Sequence, residues 1–299
     1  TLGVSFTNFS ARNMFKKGAW KPIPTGDGQR VSVRAQSNGL FFQSYNFSFM
    51  EPWLGGKKPN ALSLNVWRSV QSNGQPKRID GVLNDLRQSL QITGVQVGFG
   101  QRWKKPDDWF TMNVALSYQH FQLNDYGVFF SFSDGTANNL AANFTLARNS
   151  VSDPIYPVWG SNISLSVKAT PPYSTFRGED DDYYADLSDQ DRFRWVEYHK
   201  WKVKAEWYTP LTQSAGENPR TLVLRTHAGI GLIGQYNRSV GLSPFERFYL
   251  GGVFLSGYVL DGREIVNLRG FDDLSLTMPD QNTGAPVIAK YGAELRYPL

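Results

Sequence analysis

The residues best placed to do chemistry lie in a glycine-rich stretch, Glu246-Arg247-Phe248-Tyr249-Leu250-Gly251-Gly252, followed some sixteen residues later by Leu268-Arg269-Gly270-Phe271. An arginine stays charged at any accessible pH, so its chemistry is to hold an acidic group through a fork of donors, not to carry protons. The histidines His120, His199 and His227 are too far apart in sequence to form a local ligand pair, and each falls in or beside a strand pattern, which suits structural roles. The acidic run Glu179-Asp180-Asp181-Asp182, with Asp186, Asp189 and Asp191, could bind Ca²⁺. It lacks the glycine and terminal glutamate of a helix-loop-helix calcium loop, so a solvated surface loop over 179–191 is the simpler reading. Asp125 stands near His120, but no serine is marked out by its surroundings. There is no Gly-x-Ser-x-Gly elbow, His-Glu-x-x-His helix or phosphate-cradling loop, so the sequence predicts no enzyme and no metal or cofactor.

Those residues must be held by something, and composition narrows what. The 299 residues contain no cysteine, which excludes a disulfide scaffold, a thiolate metal site and a catalytic thiol together. Mean hydropathy is −0.40 and no apolar run approaches the ~18 residues of a spanning helix, so a membrane role would have to use strands. The net charge of +5 comes from scattered Lys and Arg, and the one dense charge run is acidic, which argues against nucleic acid as a partner. The chain opens at Thr1 without a leader-like segment and stops at Tyr297-Pro298-Leu299 after a strand-like stretch, as expected of a fragment of something longer.

Period-2 alternation recurs along the chain. Tyr45, Phe47 and Phe49 oppose Asn46, Ser48 and Met50; Leu62, Leu64 and Val66 oppose Ser63, Asn65 and Trp67; Trp201, Val203, Ala205 and Trp207 oppose Lys202, Lys204 and Glu206. One face is apolar or aromatic and the other polar or small, which is strand periodicity. About eleven strands are predicted, at roughly 2–15, 29–37, 41–51, 60–70, 90–100, 109–121, 138–149, 161–170, 194–209, 220–234 and 287–298. Compact connections (16–28, 52–59, 103–109, 154–160, 210–219) alternate with long ones (71–89, 122–137, 171–193, 235–286), the asymmetry of a barrel with turns at one end and surface loops at the other.

At the compact ends an aromatic residue sits by a proline: Pro52-Trp53, Tyr156-Pro157, Tyr208-Thr209-Pro210, Tyr297-Pro298. Proline belongs at a strand terminus, and Tyr and Trp favour the headgroup level of a bilayer, so together they mark one membrane interface. Simple turn chemistry would explain any one instance. A soluble β-sandwich would show the same alternation, but its strands are shorter and its second face would not be too polar for a dry core. The expected fold is therefore all-β, an antiparallel transmembrane β-barrel. Closed bacterial barrels normally have an even strand number, so about eleven strands imply that some are missing.

At Phe248-Tyr249-Leu250-Gly251-Gly252 and Leu268-Arg269-Gly270-Phe271 the chain resembles the BamA family, whose members are the central subunits of the machinery that folds and inserts outer-membrane β-barrel proteins. The likeness extends to strand order: Asn8 to Gly18 resembles the family's second strand and following turn, Met50-Glu51-Pro52-Trp53 the end of its fourth, Tyr156 to Ile163 the turn into its ninth, and Tyr291 to Pro298 its twelfth. The stretch Val253 to Asn267 looks like an insertion in the loop. The resemblance implies that residues 1–299 are a barrel-domain fragment of a 16-stranded barrel, without the first strand, the last four or the periplasmic POTRA repeats, and that the surface loop 235–286 folds back into the lumen.

In that family the arginine motif docks on the inner wall, which implies a latch of Leu268, Arg269, Gly270 and Phe271. Its acidic partner here would be Glu294, which alternates with Tyr291, Ala293 and Leu295 and so faces the lumen, with Gly251, Gly252 and Gly270 permitting tight backbone and Phe271 wedging the tip. The implied function is non-enzymatic insertion of outer-membrane proteins at a seam between first and last strands, in the outer membrane of a Gram-negative bacterium. The implied partners are unfolded outer-membrane protein clients, accessory outer-membrane lipoproteins or other assembly subunits, the lipid bilayer and lipopolysaccharide. The alternatives are a two-partner secretion translocator sharing the motif, or a passive porin-type channel.

Overall fold

The structure, a computed structural model of the chain, describes residues 1–56, 58–127, 131–212, 221–251, 264–268, 270–271 and 284–298. In chain order the elements are β1 (Leu2–Phe9), β2 (Gln29–Asn38), β3 (Phe42–Glu51), β4 (Ala61–Ser72), β5 (Arg78–Ile79), β6 (Val82–Leu83), β7 (Ser89–Arg102), β8 (Phe110–Asn124), β9 (Gly135–Asn149) and β10 (Gly160–Ala169). Three short helices follow, α1 (Tyr173–Arg177), α2 (Asp181–Asp186) and α3 (Asp189–Arg192), then β11 (His199–Pro210), β12 (Val223–Gly234), β13 (Phe248–Gly251), β14 (Glu264–Asn267) and β15 (Val287–Arg296).

Eleven of these strands form one antiparallel sheet in the order β1-β2-β3-β4-β7-β8-β9-β10-β11-β12-β15. They coincide with the eleven expected from alternation, most ends lying within three residues and two moved further. The strand expected over 2–15 stops at Phe9, because buried Ser10 turns the chain: its hydroxyl donates to Asp27 (2.5 Å) and accepts from the Asn13 amide, while its own amide donates to the Pro24 carbonyl. The strand expected over 194–209 begins only at His199. Residues 194–198 instead bridge β9 through Asn138, and Val196 and Tyr198 are fully buried. The stretch 171–193 is partly helical, not simply loop.

Register fixes the two faces. The outward positions of β4, β7 and β8 carry Val66, Val95, Val97 and Leu116, all exposed although large and apolar, an arrangement suited to lipid, not to water. Trp53, Trp103, Trp109, Tyr156, Trp159 and Tyr297 are exposed at the compact-turn end, as an interfacial girdle requires.

The inward face differs from the expectation that it is too polar for a dry core. Near the compact turns it is polar, with Ser32 and Ser48 sharing a hydrogen bond of 2.6 Å across β2 and β3. Toward the long loops it becomes apolar: Leu90 and Ile92 of β7, Phe121 and Leu123 of β8 and Ile233 of β12 join Val196, Tyr198 and Phe245 in one buried cluster. Four strands separate β7 from β12 in the sheet, so the sheet curls for these side chains to meet. The loops supply the second layer that a curled sheet needs for burial.

Candidate functional site

Strands β10 and β11 set the electrostatics of the inner wall. Their register places Lys168 directly opposite Lys200 and Ser166 opposite Lys202, with Lys204 two residues further along the same face. Like charges directly across a strand pair repel, and the only carboxylate on the inward face of these two strands is Glu206. The wall therefore requires acids from elsewhere.

They come from the long loop. The Glu246 carboxylate sits between two ammonium groups, bonded to Lys168 and 3.4 Å from Lys200, while Lys200 also donates to the Glu246 carbonyl at 2.7 Å. Glu264 on β14 bridges Lys200 (2.6 Å) and Lys202 (3.1 Å). The result is a chain of alternating charge, Lys168, Glu246, Lys200, Glu264, Lys202, in which the side chain of Lys200 is only 1 % exposed. Its ammonium also lies 4.4 Å from the centroid of the Phe248 ring, a cation–π contact. Burial by itself would raise the Glu246 pKa, but the two lysines outweigh it and bring the carboxyl down to about 2. Glu264 is lowered in the same way, with Lys200 and Lys202 overcoming the cost of burial. The backbone of Glu246 has φ of +68°, a left-handed conformation that costs a non-glycine residue about 1–3 kcal/mol and persists where surroundings impose it.

The loop is shaped to fit the wall. β13 and β14 pair in parallel, Phe248 to Glu264 through Gly251 to Asn267, and Phe248 exchanges both backbone hydrogen bonds with Ala285. The buried Phe248 ring rests on bare backbone at Gly231: a Cβ there would lie 2.5 Å from the ring, and Ile288 closes the socket beside it. The Arg247 guanidinium turns back to donate to the carbonyls of Ser243 and Leu242. Next to the arginine motif, Lys290 of β15 donates to the Asn267 carbonyl at 2.5 Å, and the Leu268 amide to the Gly251 carbonyl at 2.6 Å.

Of the residues expected to form the latch, Arg269 and Gly252 lie outside the described residues. Leu268 follows β14, Gly270 takes φ of +89°, Gly251 is in strand β13, and Phe271 is exposed, so a wedging role is not visible in its burial. Glu294 is on the inward face of β15, opposite Arg225 of β12. It accepts from Arg225 at 2.6 Å and from Arg296 at 2.8 Å, and Arg225 also reaches Glu206 at 2.9 Å. A cavity of about 390 Å³ separates this second charged group from the first, between β14 and the wall formed by β11, β12 and β15.

The histidines do not converge. His120 meets Asn138 on the outer face, His199 stacks on Tyr236, and His227 covers Gly292 inside. Among the described residues no group of three or more His, Cys, Asp or Glu could hold a metal ion. The arrangement anchors a loop. Sequence reasoning did not identify Glu246, Glu264, Lys168, Lys200 and Lys202 as a unit. The available signal was the surplus of lysine on the polar face of two adjacent strands.

Residues 25–299 match the family model of the Omp85 superfamily domain. Among solved structures, BamA from Haemophilus ducreyi lacking POTRA domains 1-3 is similar at a TM-score of 0.58 and 17 % sequence identity, over 91 % of this chain and 48 % of that one. At that identity the likeness speaks to the fold, and the match spans about half the length of that solved chain. Comparison with curated proteins gives no match.

Proposed function

The chain belongs to the Omp85 superfamily, and from that premise we propose that it is the barrel of an outer-membrane protein assembly factor that folds and inserts client β-barrel proteins. The observation that carries this reading is the loop held in the lumen by Glu246 and Glu264: a barrel filled by its own anchored loop has little use as a passive pore, so its working surface is its wall and edges. In this reading residues 1–299 are most of a 16-stranded barrel in the outer membrane of a Gram-negative bacterium, working with POTRA repeats and accessory lipoproteins. Clients enter at a lateral seam, where unpaired N–H and C=O groups are costly in lipid and template an incoming strand. Arg269, with Leu268, Gly270 and Phe271, latches the loop tip against the Glu294 region, whose carboxylate is already an acceptor for two arginines.

The test is Arg269→Ala in the native host, scored by growth, outer-membrane protein levels and heat-modifiable mobility of the barrel. Reduced client levels with the barrel still folded are expected. Wild-type values on all three would remove the role given to Arg269. Secretion of one dedicated partner with unchanged outer-membrane protein levels would favour a two-partner secretion translocator.

A further inference from the structure

The long connection 73–88 carries a built hairpin. Arg78 pairs with Leu83 and Ile79 with Val82 around Asp80-Gly81, whose φ angles of +50° and +85° match the two-residue turn that suits strand twist. So short a hairpin is not stable alone, and here side chains brace it: Asn84 donates to the Pro76 carbonyl, Asn73 to that of Leu86 and Arg87 to that of Gln75. Its base is tied to the end of β8 by Asn124, which donates to the Arg87 carbonyl, and by Gln88, which donates to Asp125 at 3.0 Å.

The hairpin folds outward. A cleft of about 300 Å³ lies between its Lys77 and Leu83 and the wall residues Val70, Gln91 and Gln122. These wall residues share the outer face, since their neighbours Leu90, Ile92, Phe121 and Leu123 point into the buried lumenal cluster. In this sector the unbroken outward apolar rows end at Val66, Val95 and Tyr118; the next level is Arg68, Thr93 and His120, and above it Val70 stands beside Gln91 and Gln122. The hairpin base therefore faces the wall two levels above its last unbroken apolar row. There it presents Ile79 and Val82, paired across the hairpin, at 50 % and 70 % exposure, which is unfavourable in water.

We propose that the β5–β6 hairpin is a membrane-interface arm, with Ile79 and Val82 seated at the headgroup and acyl-chain boundary of the surrounding lipid. The proposal rests on reading the wall as lipid-facing, with the hairpin standing outside it above the apolar rows. Charge does not drive it, since Lys77, Arg78 and Arg87 are accompanied by Asp80 and Asp85. Binding by apolar insertion tolerates neutral lipid and high salt.

Residues 1–299 contain no cysteine, so each introduced cysteine is the single label within this chain. Val82→Cys and Ile79→Cys carry an environment-sensitive fluorophore in the full-length protein reconstituted into phosphatidylcholine vesicles, with Leu116→Cys as the wall control and Asp182→Cys as the surface-loop control. Brominated acyl chains are expected to quench the labels at 79 and 82 to a level between the two controls, unchanged in 1 M salt or with phosphatidylglycerol added. Quenching equal to Asp182, with Leu116 still quenched, overturns the arm and leaves the barrel reading intact. An unquenched Leu116 label overturns both. Shielding that rises with protein-to-lipid ratio identifies a second protein copy as the occupant and also overturns the proposal.

Discussion

Lys168 and Lys200 face each other directly across β10 and β11 on the inner wall, and the carboxylate that reconciles them, that of Glu246, arrives from a loop. Two cations at such spacing destabilise a sheet pair, and a shared anion converts repulsion into attachment. Loop docking and wall stability are thus one interaction.

Removing that anion should therefore cost more than an ordinary surface pair. Glu246→Gln is expected to destabilise the barrel by about 2–4 kcal/mol, the lower part of the range for breaking a buried pair because Glu246 keeps some solvent access. The double variant Glu246→Leu/Lys200→Met should lose less than the sum of its single variants. Urea midpoints from heat-modifiable mobility would measure both, and strict additivity would disprove the coupling.

The same pair sets an acid limit on docking. The folded Glu246 pKa of about 2 is below its ordinary value of 4.5, so its stabilisation is fully present above about 4.5 and is lost as pH falls through about 2. The loop should resist pepsin near pH 4 and become cleavable within 235–286 as pH approaches 2. Release already near pH 5 would contradict the assignment.

The Phe248 socket requires glycine at 231. Gly231→Ala places a methyl 2.5 Å from the ring and should cost about 1–3 kcal/mol, read as faster proteolysis of the loop. Phe248→Leu on that background should recover part of the loss. No recovery would mean that the Gly231 change acts elsewhere.

At the apolar plug Asn139 donates to the Tyr198 hydroxyl at 3.1 Å, both residues being buried. Tyr198→Phe removes that acceptor and should lower stability by about 1–3 kcal/mol while leaving strand content unchanged. Circular dichroism and the thermal midpoint would separate these effects; an unchanged midpoint would show that the bond is dispensable.

Much of the fold was legible in the sequence because alternation is a local property: Phe47 of β3, Val66 of β4 and Trp201 and Val203 of β11 each report their face through their immediate neighbours. That reading located eleven strands. It could not pair Glu246 with Lys168, 78 residues away, nor join Leu90 and Phe245 in one plug, because those meetings depend on the curl of the sheet. Nor could it show that residues 73–88 fold outward while 235–251 fold inward, since both are long connections on the same end of the barrel. Faces follow from the chain's own period. Which distant charges and loops meet across them is decided only when the sheet closes the space between.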